Sequence, residues 1–337
     1  MLFDSYGEYV FYDGAMGTML QRRGLEPGLR PDVMNITAPD VVEGVYRLYL
    51  EAGSEIICTN TFGANADALR HTGHSPEDII ATGVSIARRA AERAFEENVI
   101  RNGVGGSASA TTRAAKVALD IGPIGKLMEP MGDLEYEGAY DLFKQQAIAG
   151  ENAGADLAAI ETMSDITEMK AAISAIVENT NLPVFATMTF GASGKTYLGF
   201  SAEDFAKTAE SAGADAIGIN CSRNPAEMVD TALRIAASSS LPLIFKLNAG
   251  LPDSASGEYN VSAEEFAMQM IALVKAVRAQ DRDAARASSI GDARGGAEPA
   301  GSPKALRRQI FIGGCCGTTP DYIRELRKAM QAWVEAL

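Results

Sequence analysis

Cysteine, histidine and tryptophan are scarce here: the 337 residues include only four, two and one of them. Four cysteines over such a length cannot form the disulfide framework of a small secreted domain, and a reducing cytoplasm, where thiols stay free, is the expected setting. The two histidines, His71 and His74, sit three apart in R-H-T-G-H, but Gly73 and Ser75-Pro76 mark that stretch as a loop, so both read as solvated surface rather than metal ligands. Positive charge is also short. Thirty Lys and Arg against 44 Asp and Glu leave a net charge of −14, which excludes a phosphate-neutralising surface and so nucleic-acid binding. No apolar run approaches the length that crosses a bilayer, and the opening M-L-F-D-S-Y-G-E-Y-V does not read as a signal peptide; no membrane association is expected. The glycine-rich stretch V-F-Y-D-G-A-M-G-T lacks both G-x-G-x-x-G and a Gly-Lys-Ser/Thr ending, so it is no phosphate cradle, although its turn can form an amide nest for a carboxylate with Asp13 facing an amine.

What is present is an ordinary globular composition, 47% hydrophobic and 22% charged, in a chain long enough for two average domains or one large α/β barrel. Short apolar runs at 10–18, 55–62, 116–123, 157–163, 183–190, 216–222, 242–250 and 309–314 read as strands. Between and after them, 35–52, 77–98, 139–153, 166–179, 202–212, 225–238, 262–278 and 320–337 read as helices, with Thr37 or Asp40 capping the first and the lone Trp333 of the last packing on the barrel. Eight such alternations predict a single-domain (β/α)8 TIM barrel over residues 1–337; a doubly wound open sheet is the alternative. Two segments break the rhythm. Residues 97–113 and 279–308, rich in small and polar residues without an apolar period, read as flexible insertions on helix-to-strand connections.

The polar and sulfur residues fall at C-terminal strand ends: Asp13, Asn60, Asp120, Glu161, Cys221, Asn248, Cys315 and Cys316. In a barrel those ends share the face that carries active sites. Adjacent Cys315 and Cys316 lie in I-F-I-G-G-C-C-G-T-T, where glycines allow a tight bend and close approach to the sulfurs, and Cys221 ends A-I-G-I-N-C. Three thiolates with one open position are a catalytic zinc pattern. Cys58, inside its strand, reads as core. Glu161 lies in the apolar run L-A-A-I-E-T-M, where a buried carboxylate needs a partner or a ligand.

With D-G-A-M-G-T, T-N-T-F-G-A-N, D-I-G-P-I-G, G-I-N-C, N-A-G-L-P and G-G-C-C-G-T-T-P all present, the chain resembles the homocysteine S-methyltransferase family, and within it the homocysteine-binding domain of cobalamin-dependent methionine synthases. The resemblance implies zinc held by Cys221, Cys315 and Cys316 with the homocysteine sulfur as fourth ligand. It also implies an amine clamp near Asp13 and Glu161, the first-turn amides of Gly14 and Ala15 for the carboxylate, and Asn60, Asn220 and Asn248 around the substrate. The expected reaction is methyl transfer to the homocysteine thiolate, giving methionine, with methylcobalamin on a separate corrinoid protein as donor. S-methylmethionine or betaine is the alternative donor, and a non-catalytic zinc- and homocysteine-binding module the alternative of another class. The chemistry is self-consistent: a free thiol is mostly protonated at neutral pH, zinc coordination deprotonates it, and neither histidine is required as a base.

Overall fold

Parallel strands covered on both faces read as nearly continuous apolar runs, and the runs of this sequence fold that way. The computed structural model describes residues 6–26, 28–102, 113–292 and 308–336. Its strands are β1 (Tyr9–Phe11), β2 (Ile56–Cys58), β3 (Lys116–Ile121), β4 (Leu157–Met163), β5 (Val184–Met188), β6 (Ala216–Asn220), β7 (Leu243–Leu247) and β8 (Ile310–Gly314). They form one eight-stranded sheet in the order β1-β8-β7-β6-β5-β4-β3-β2, and every strand pair is parallel. A single parallel bridge, Tyr12 to Ile56, joins the two edges, with Glu55 N–H donating to Phe11 O and Asp13 N–H to Ile56 O. The sheet is thus a (β/α)8 barrel.

The principal helices follow their strands: α1 (Pro39–Ala52), α2 (Pro76–Asn102), α3 (Tyr136–Asn152), α4 (Ile166–Asn179), α5 (Ala202–Ala212), α6 (Val229–Ser238), α7 (Ala263–Asp292) and α8 (Pro320–Glu335). Side chains alternate across each strand, and this divides the core in two. One set, including Val10, Ile56, Ala118, Phe185, Ile244 and Phe311, fills the barrel, where the Phe185 and Phe311 rings meet edge-on at 4.8 Å. The other set packs under the helices, and Trp333 of α8 joins it against the Tyr9 ring at 5.6 Å.

Three local expectations are corrected. Neither Thr37 nor Asp40 caps α1; its N-cap is Ala38, and Pro39 at the first position needs no donor there. The segment expected to turn flexible at 97 stays helical through Asn102, and the one expected at 279 stays helical through Asp292. The second extension carries four alanines and two arginines, which are among the strongest helix formers; the first, E-N-V-I-R-N, continues a helix already begun by packing. The second extension is also anchored, since Asp281 Oδ1 accepts from Arg308 Nη2 at 2.8 Å with both side chains nearly buried. The remainders, 103–112 and 293–307, lie outside the described residues. Among those described, no helix is long and apolar enough to cross a membrane.

Candidate active site

The three thiols predicted from strand ends converge at one end of the barrel. Cys221 follows β6 in a left-handed backbone conformation, φ 44°, that a residue with a Cβ rarely adopts. This turn aims its sulfur at the β8 end, where Cys221 Sγ and Cys316 Sγ lie 3.4 Å apart. All three sulfurs, with that of Cys315, fall within 4.8 Å of one another. The bend that presents the pair needs its glycines. A Cβ on Gly314 would strike the Thr318 side chain, and one on Gly317, at φ 81°, the Tyr259 ring. Three sulfurs so close cannot all ionise without a cation: hydrogen bonds from Cys221 and Cys315 hold Cys316 down to about 3, while Cys315 is pushed well up by Cys221, Cys316 and burial. Tetrahedral zinc, with Zn–S of about 2.3 Å, sets its sulfurs about 3.8 Å apart, so the donor set and its spacing fit that ion.

Beneath the thiols lies a layer of charge. Lys246, from β7, is 3% exposed, and its Nζ lies 2.5 Å from Glu161 Oε1, 3.0 Å from Cys58 Sγ and 3.6 Å from Asp13 Oδ1. Burial alone would lower its pKa, but Cys58, Glu161, Asp13 and Asp120 together carry it well above the usual lysine value, so it stays an ammonium. Glu161 therefore finds the partner its position demanded within the protein. A register shift in β4, with Thr162 at φ 64° and its N–H donating to Asn220 Oδ1 at 2.7 Å, turns this part of the strand. Asp13, 1% exposed, accepts from Cys58 N–H at 2.7 Å, and burial pushes its carboxyl up to about 6.

Other expected residues are placed as follows. Asn220 is fully buried, with its amide spent on Thr162, Thr187 and Glu161. Asn60 ties the β2 end to the segment between β1 and β2, its amide donating to Pro31 O and Asn35 Oδ1. Asn248 donates to Ser222 O, its Oδ1 left unpaired. Gly14 and Ala15 lie against Thr318, whose Oγ1 accepts from Ala15 N–H at 3.3 Å. Cys58, read as core, is buried in the barrel cluster, but it ends β2 rather than lying inside it and sits beside Lys246; burial raises its thiol well above the usual range. Lys246 was not singled out at all, although the rule that marked Glu161, a charge inside an apolar strand, applies equally to L-I-F-K-L. Tyr259, whose hydroxyl hydrogen-bonds Cys316, carries no local signal. His71 is exposed and His74 half-buried, both outside this region.

These groups line a cavity of about 730 Å³ that runs from the thiols past Asp120, Glu161 and Lys246 to the loops after β1, β2 and β3. One wall, Ile124, is pinned by its N–H donating to Glu168 Oε1 at 2.8 Å. Burial pushes the Glu168 carboxyl up to about 7, against the Ile124 bond and with help from Asp165. A folded-state pKa above the unfolded value of 4.5 means stability that is full at low pH and lost as pH rises through about 7. Glu168→Gln keeps an acceptor for Ile124 but cannot ionise. It should match wild type near pH 4 and exceed it by about 2 kcal/mol near pH 8, read as thermal midpoints across pH.

A parallel barrel with three thiols placed to hold a metal ion at its C-terminal face has the arrangement of a barrel enzyme. The model of the homocysteine S-methyltransferase family matches residues 10–330, and the chain belongs to that family of methyltransferases. It is 30% identical over 335 residues to methionine synthase from Mycobacterium leprae and likewise to that of Mycobacterium tuberculosis; the match covers 94% of this chain but 24% of each relative, so the chain spans about a quarter of their length. Among solved structures, it superposes on the metallated form of the homocysteine methyltransferase MmuM from Escherichia coli with a TM-score of 0.71 at 18% identity, covering 97% of this chain and 99% of that one. This last likeness is one of fold.

Proposed function

We propose that the chain is a zinc-dependent S-methyltransferase that converts homocysteine to methionine, with methylcobalamin on a separate corrinoid protein as donor, in the reducing cytoplasm. The observation that carries the reading is the set of three sulfurs within 4.8 Å at the cavity wall, on the face where barrel enzymes work. Zinc held by Cys221, Cys315 and Cys316 would supply the Lewis acidity that keeps an added thiol deprotonated at neutral pH. The rest falls to the chain's own groups. The cavity admits the amino acid, Lys246 bridges and orients Glu161 and Asp13, and the Tyr259 hydroxyl positions Cys316.

Two features favour a protein-borne donor. Leu29, Phe62, Leu127, Met131 and Leu251 are 40–59% exposed on the loops that follow β1, β2, β3 and β7, an apolar rim suited to a docking domain. Among the described residues Phe62 is the one aromatic that lines the cavity, whereas a small onium donor calls for an aromatic cage. The test is zinc-loaded protein with homocysteine and, in parallel, methylcobalamin, S-methylmethionine or betaine, following methionine. Methionine from methylcobalamin alone is expected. Turnover with a small onium donor would reassign the donor, and no methionine from any of them, with or without a corrinoid protein, would overturn the reading.

A further inference from the structure

The acids of the cavity outnumber its cations. Arg30 pairs with Asp32 at 3.4 Å, which leaves Asp13, Asp120 and Glu161 to share Lys246, and the three are not equally served by it. Glu161 Oε1 takes the ammonium at 2.5 Å, and Asp13 is held between Lys246 at 3.6 Å and Cys58 N–H at 2.7 Å, 1% exposed. Asp120 has neither. Its Oδ1 is shut off from solvent and has no hydrogen-bond partner among the described residues, although the side chain lines the same cavity as the thiols. Its backbone is fixed on both sides: the N–H donates to Thr59 Oγ1 at 3.0 Å, and the C=O accepts from Thr61 Oγ1 at 2.8 Å. The β3–β4 register sets Asp120 opposite Ala159, two residues before Glu161, so by strand alternation both acids face the barrel interior; the Glu161 charge, after burial, is what pushes the Asp120 carboxyl up. A buried carboxylate oxygen without a donor is costly, and a cation from the ligand is what would satisfy it.

We propose that Asp120 is the residue that accepts the substrate's ammonium group, the Asp13–Glu161 pair being already bridged by Lys246. This rests on the reading that the substrate is an amino-acid thiol, and it places the amine at Asp120 in place of the expected clamp at Asp13 and Glu161. Lys246 occupies the place in that clamp that a substrate amine would take, and Asp120 offers the vacancy. The residue then determines specificity: it selects thiols that carry a cation three carbons from sulfur over thiols that do not.

The test is calorimetric binding of homocysteine and of 4-mercaptobutanoate, the same molecule without its amine, to zinc-loaded wild type and to Asp120→Asn. Wild type should prefer homocysteine. Asp120→Asn should weaken homocysteine binding about 10- to 100-fold and leave 4-mercaptobutanoate unchanged, collapsing the preference. Equal weakening of both ligands would mark a structural role, and no change in either would place the ammonium elsewhere; each overturns the assignment. Asp120→Ser is the second variant should the amide fail to fold, with the same ratio as readout. Wild type that binds zinc but neither thiol would instead overturn the proposed function itself.

Discussion

Cys316→Ser should leave a folded barrel that retains far less than one zinc per chain and has lost at least about 100-fold of its methyl-transfer rate. Cys316 stands 3.4 Å from Cys221 and accepts hydrogen bonds from Cys221, Cys315 and Tyr259, so it is the sulfur on which the others converge. Serine offers a harder oxygen that stays protonated near neutrality, and two thiols with an alcohol are a poor zinc shell. The stabilities of the two proteins should stay close without metal, because the residue is half-buried and packs mainly against groups of the site. Cys58→Ser is the control. That sulfur lies beside Lys246, outside the three-sulfur group, so metal content should hold at one per chain. Zinc content by atomic absorption, with unfolding curves for both variants, separates the two outcomes.

Lys246→Met should destabilise the fold by about 3–5 kcal/mol near neutral pH, because it removes the one cation from a buried layer of three carboxylates while nearly preserving volume. The loss should depend on pH in a defined direction. Burial already pushes Asp13 up to about 6, with Lys246 as the largest opposing influence, so without the ammonium its carboxyl titrates higher still. Acids with folded pKa values raised above the unfolded ones favour the fold when protonated. The deficit should therefore be small near pH 5 and grow through pH 8, as measured by denaturant midpoints. A deficit that is flat with pH would mean that Lys246 contributes packing rather than charge.

The barrel and the thiols were legible in the sequence because each is written locally. Short, nearly continuous apolar runs separated by helical stretches define the alternation, and G-G-C-C-G carries both its thiols and the bend that presents them. Cys221, though 94 residues before Cys315 in the chain, could be joined to it because both follow apolar runs and strand ends meet on one face. What stayed hidden depends on which side chains meet across the barrel. Glu161 was recognised as needing a partner, but nothing within a few residues of it says that the partner is Lys246, 85 positions away. Cys58 is core, as its apolar run indicates, but the ammonium that meets it there comes from Lys246 on β7 and is not written near it in the chain. The helix ends at Asn102 and Asp292 were missed because composition without an apolar period was read as flexibility, where strong helix formers continue a helix that packing has already begun.

The most direct measurement of the central claim is zinc K-edge X-ray absorption on the loaded protein, before and after homocysteine is added. We expect three sulfurs at about 2.3 Å with one lighter ligand in the free protein, and four sulfurs once homocysteine is present. A shell with fewer than three sulfurs, or one unchanged by homocysteine, would contradict the assignment of Cys221, Cys315 and Cys316 as a metal site that activates the substrate thiol.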